Sequence, residues 1–90
     1  MKALVLHPDD NVATAVSALA PGEKISIDAT GITLLEPIPF GHKLALKDIR
    51  PGENIIKYGE VIGRATAAIK KGAHVHVHNV EGRRGRGDRA

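Results

Sequence analysis

The chain has 90 residues, 42% hydrophobic and 26% charged, which fits one small globular domain with a modest core. It has no cysteine, so disulfides, thiolate zinc sites and cysteine nucleophiles are excluded; one Phe, one Tyr and no Trp exclude a stacking platform for bases. The formal net charge of +3 comes from the end of the chain, where Arg83, Arg84, Arg86 and Arg89 lie, so nucleic-acid binding is not expected of the body.

In chain order, residues 2–6 read as a short strand. This apolar run is too short for a signal segment, and no stretch approaches a membrane span, so the expected location is the cytoplasm. Asp9 or Asp10 then caps a predicted helix over 11–19, with Val12, Val16 and Leu19 at helical spacing and Pro21-Gly22 as its stop. Ile25 and Ile27 alternate with polar residues as a strand, and Thr30-Gly31 reads as the turn into a second strand over 32–35. Pro37 and Pro39 make 36–41 an extended connection, followed by a strand over 42–46.

Arg50-Pro51-Gly52-Glu53 has Pro second and Gly third, the pattern of a type II turn. Two short strands, 55–57 and 61–62, flank a bend at Tyr58-Gly59-Glu60. Residues 64–70 are predicted as two helical turns stopped by Gly72, and 73–80 as a final strand. The expected organisation is one domain over 1–81, mainly β with short helices, and a basic tail over 82–90.

The final strand holds the most informative motif, His74-Val75-His76-Val77-His78-Asn79. Alternation in a strand sends the three imidazoles to one face and the valines to the other. Imidazole titrates near neutrality and is the commonest metal ligand, so two histidines two residues apart can chelate one ion. His42 and His7 are the available imidazoles for a further ligand. Gly41-His42-Lys43 opens a strand, where Lys43 can hold a carboxylate and His42 can ligate or relay a proton. Tyr58 is either a packing residue or a hydroxyl donor.

Four segments together, His7 to Val12, Gly41 to Ile49, Ile55 to Gly63 and His74 to Asn79, resemble the N-terminal domain of altronate and galactarate dehydratases and the small subunit of sulfolactate sulfo-lyase. The resemblance covers about residues 2–80 and implies a SAF-type β-clip fold, similar to type III antifreeze proteins. It also implies a lyase that removes the proton α to a carboxylate and expels a β-substituent, with a divalent metal, Fe(II), as cofactor. By position it implies His42 and Tyr58 as catalytic residues, Lys43 and Asn79 as substrate contacts, and His76 and His78 as metal ligands. The dehydratases carry a much larger catalytic part, so the chain is expected to act as a small subunit beside a larger one, not alone. The arginine tail is then a docking segment, and self-association is compatible with the sequence. The other reading is a sugar-acid-binding module without chemistry, since the fold alone does not choose a function.

Overall fold

Short aliphatic runs punctuated by Pro-Gly turns fold here entirely as strands, in a computed structural model that describes residues 2–82. In order they are β1 (Ala3–Leu4), β2 (Val12–Ala15), β3 (Lys24–Ile27), β4 (Thr30–Thr33), β5 (Lys43–Ala45), β6 (Asn54–Lys57), β7 (Glu60–Ala65), β8 (His74–Val75) and β9 (Val80–Gly82). All pairings are antiparallel: a sheet in the order β1-β2-β5-β8, the hairpin β3-β4, and a sheet in the order β6-β7-β9. The mainly β expectation therefore stands, while the short helices are absent among the described residues. The predicted basic tail lies outside the described residues from position 83 onward.

Both helix expectations fail because core burial outside a helix imitates helical spacing. Val12–Ala15 is a strand buried on both faces, so it lacks the alternation that marks a half-buried strand. Over 64–70, Ala65 and Ile69 are both core residues, but Ile69 gets there by bridging to Ile49 from an irregular arc. A spacing of four is thus helical in sequence and non-helical in space. Asp10 caps no helix; its Oδ1 accepts the Gly59 N–H at 2.8 Å, tying the turn at residues 7–10 to the β6–β7 turn. The first hairpin turns at Asp28-Ala29, both at positive φ, and Thr30-Gly31 already belongs to β4.

The chain builds the same unit twice. Leu19 bridges Ile38 as Ile49 bridges Ile69. Gly22 donates to the Leu34 carbonyl at 2.7 Å as Gly52 does to Ala65 at 2.8 Å. The Glu23 carboxylate accepts the Ala20 N–H at 3.0 Å, and the Glu53 carboxylate accepts the Arg50 N–H at 2.6 Å. Gly52 has φ 88°, as the type II turn requires. A bulge between Ile55 and Ile56 adds the residue that sets the second copy out of step. Each copy has its own aliphatic core, one containing Leu19, Ile25, Leu34 and Ile38, the other Ile49, Ile55, Ala65 and Ile69. Asn11 joins them: its buried amide donates to the Asn54 carbonyl and accepts the Ile56 N–H, both at 2.8 Å.

Gly41 and Gly72 are equivalent, at φ 82° and 88° and donating at 2.9 Å to Ala15 and Ala45 respectively. Their surroundings differ, because a Cβ at Gly41 meets open space and one at Gly72 runs into the Thr33 carbonyl. Gly41→Ala should therefore cost only about 1 kcal/mol of backbone strain. Gly72→Ala should cost on the order of 3 kcal/mol or more, and urea unfolding of both variants measures the difference.

Candidate histidine and lysine site

Strand pairing decides which imidazoles meet. β5 and β8 pair with Lys43 opposite Val75 and Leu44 opposite His74, which brings His42, just before β5, alongside the histidine run. β8 is shorter than predicted: after Val75 the chain turns over 76–79, and Asn79 N–H donates to the His76 carbonyl at 3.1 Å. Of the three histidines of the run only His74 lies in a strand, so the expected strand over 73–80 and its single histidine face give way to a strand end and a turn.

The rings gather all the same. His42 stacks on His76 with centroids 4.2 Å apart and on His74 at 5.1 Å, and His74 lies 5.4 Å from His76. His42 Nδ1 and His74 Nε2 are 2.9 Å apart, a hydrogen bond that requires one ring to donate and the other to accept. One nitrogen from each of His42, His74 and His76 falls in a group within 4.8 Å, the donor set a borderline divalent metal takes. His78 is exposed and tilted, its ring 5.3 Å from that of His74, and it stands outside this group.

Lost hydration and neighbouring rings disfavour the charged forms of His74 and His76. Loss of hydration, then the neighbouring rings of His42, His78 and His76, hold His74 below the ordinary imidazole range; Glu36 opposes this. His76 is lowered by lost hydration first, then by His42, Lys43 and His78. Neutral imidazole is the form that binds a metal or accepts a proton. Lys43, half-buried in β5, is held below the usual lysine range by lost hydration and then by the Lys57 ammonium. Beside it Lys43, His76, Ile62, Val75, Val77 and Val80 line an open cavity of about 220 Å³.

The remaining expected residues are placed differently. Asn79 is buried, and its amide shapes the loop: Oδ1 accepts the His76 N–H at 3.0 Å and Nδ2 donates to the His74 carbonyl at 2.9 Å. Tyr58 sits at positive φ at the tip of the β6–β7 hairpin, exposed, with the Lys57 ammonium 5.0 Å from its ring centroid. His7 packs its ring against Gly59, where a Cβ would come within 2.8 Å. Sequence reasoning missed Glu36, whose carboxylate accepts the His74 N–H at 3.1 Å, and Lys57. No signal marked Glu36, while Lys57 stood beside the singled-out Tyr58.

Residues 1–83 match the family described as the altronate/galactarate dehydratase SAF domain. The chain is 48% identical over 79 residues to altronate dehydratase of Escherichia coli (strain K12), covering 88% of this chain and 16% of that protein. It is 44% identical over 72 residues to galactarate dehydratase (L-threo-forming) of the same organism, 78% of this chain and 13% of the relative. It is also 51% identical over 49 residues to (2R)-sulfolactate sulfo-lyase subunit alpha of Chromohalobacter salexigens, 54% of this chain and 52% of that subunit. The chain thus spans about a sixth or less of these dehydratases and about half of that subunit.

A lowered imidazole pKa has a sign. Below the unfolded value of 6.5 the unfolded chain binds protons that the folded His74 and His76 resist, so stability falls as pH drops. The loss levels off beneath the folded-state midpoints. Imidazole NMR in the presence of a chelator should show His74 and His76 titrating below 6.5; midpoints at or above that value contradict the arrangement.

Proposed function

The chain belongs to the altronate/galactarate dehydratase SAF-domain family, and from that premise we propose that it is the small component of a lyase acting on a sugar acid or similar hydroxy acid. The observation that carries this reading is the meeting of His42 with His74 and His76 beside Lys43. A larger catalytic polypeptide completes the enzyme, consistent with how little of each dehydratase relative the chain spans.

His42, His74 and His76 fit a divalent metal, Fe(II) in this reading, because three imidazole nitrogens converge and lost hydration keeps the rings of His74 and His76 neutral. When bound, such an ion polarises the substrate carboxylate and hydroxyl. Lys43 holds the carboxylate. This assignment exchanges the roles expected of His42 and His78, since the exposed His78 ring stays free to accept the α-proton. The electron pair of the broken C–H bond forms the C=C bond as the β-hydroxyl departs, protonated by the Tyr58 hydroxyl, as water. The enol then tautomerises to a 2-keto-3-deoxy acid. In the sulfo-lyase type of substrate, sulfite leaves instead. Asn79 acts by holding the 76–79 turn, and with it the His76 ring.

The test is to co-express the chain with the larger polypeptide, assay a sugar-acid panel with iron, and measure bound metal. His74→Ala and His76→Ala should each lose metal and at least about 100-fold in turnover while melting close to the wild type. Unchanged metal content and turnover sink the assignment. Sugar-acid binding without turnover by the assembled wild type leaves a binding module.

A further inference from the structure

Five large apolar side chains are exposed among the described residues: Leu6, Leu35, Phe40, Tyr58 and Val77. None lies in a strand, and four of the five, all but Leu6, come within two residues of His42, His76, Glu36 or Lys57 in sequence. Val77, 82% exposed, stands between His76 and His78. Phe40, 71% exposed, is on the turn in which His42 N–H donates to the Pro39 carbonyl at 3.0 Å. Leu35 is held against β8 twice, by its own N–H on the Gly72 carbonyl at 3.0 Å and by Glu36 on His74. Tyr58 follows Lys57, and Leu6 precedes His7, whose ring packs on Gly59. Scattered exposed apolar residues need no explanation, but four of these five fall beside residues of one polar cluster.

We propose that this face is the docking surface for the larger catalytic polypeptide of the lyase, with Phe40 and Val77 as its anchors around the histidines. The proposal rests on the functional reading above and names the surface that reading leaves open. Three observations select this occupant. The chain spans 16% and 13% of the dehydratases it resembles, so most of such an enzyme lies elsewhere. Among the described residues His78 is exposed at the edge of the histidine cluster, and an enediolate-forming site needs water excluded. Lys57 has no carboxylate within ion-pair distance among the described residues, although it lies near enough to Lys43 to repel it. A partner surface with apolar sockets and a carboxylate facing Lys57 satisfies all three. An aromatic anchor beside a charged centre, ringed by contacts that exclude water, is the usual anatomy of such interfaces.

The test titrates wild-type chain, the double variant Phe40→Ser/Val77→Ser, and Arg50→Ser into the larger polypeptide by calorimetry. Arg50 lies in the turn that starts β6, at the opposite end of that strand from Lys57, and serves as the control. All three should melt alike and bind cobalt(II) alike, because neither exposed anchor supports the core or ligates. The double variant should bind the larger polypeptide at least about tenfold more weakly, with Arg50→Ser unchanged. Equal affinity of wild type and double variant overturns the proposal. Weakening by Arg50→Ser alone also overturns it, placing the contact elsewhere and leaving the lyase reading intact. A wild-type self-dimer that the double variant abolishes, seen by light scattering without any complex, makes a second copy the occupant and overturns it too. With neither complex nor dimer, the docking proposal and the two-component reading fall together.

Discussion

The pairing of β2 with β5 is the constraint on which the rest depends. Both strands are buried on both faces, and their side chains go alternately to two cores: Ala13, Ala15 and Leu44 to one, Val12 and Ala45 to the other. Small residues at Ala13, Ala15 and Ala45 let two aliphatic cores close on one shared sheet without aromatic filler. A one-residue slip exchanges the cores and misplaces every neighbour. Because β5 is fixed by β2, the edge it offers to β8 is fixed as well, and the site is assembled on that edge.

The doubled architecture explains where the candidate site sits. β5 closes the first copy and β8 closes the second, each coming after the glycine turn at Gly41 or Gly72. In β5 and its lead-in the chain places His42-Lys43, and in β8 His74-Val75, so equivalent ends of two copies meet antiparallel. Beyond these strands the two copies diverge, with the second running into the Asn79-braced turn and β9. Two histidine-bearing ends that are far apart in sequence thereby become one cluster, a result that neither copy could produce alone.

Much of this was legible in the sequence, and the rest was hidden for physical reasons. The type II turn, the strand at 43–45 and the strands of both hairpins, though not the turn of the first, could be read because alternation and Pro-Gly punctuation are local signals. The false helices arise where burial on both faces, or an arc between core residues, imitates a period near four. Leu34 and Ile38 have the same spacing as Ala65 and Ile69, yet Pro37 marked the first pair as extended, while Ala67-Ala68 gave the other pair a helical pattern. The repeat went unread, although Pro-Gly-Glu at 21–23 recurs at 51–53. For the site, the histidine run and Gly41-His42-Lys43 were both visible as motifs. Their meeting was not, because it depends on strand order, which is a long-range property.

The geometry of the histidine turn also bears on how such a site can work. Its shape is held by backbone and amide hydrogen bonds of Asn79, while the rings themselves stay only partly covered. His74 and His76 are held below the ordinary imidazole range by lost hydration first and by neighbouring rings after, so both resist protonation. The brace is made of hydrogen bonds of a neutral amide, with no ion pair in it. The positive end of the site is supplied separately by Lys43 and Lys57, on β5 and β6, from outside the histidine turn. Donor nitrogens and cationic groups are thus mounted on different strands of a small, doubly cored frame.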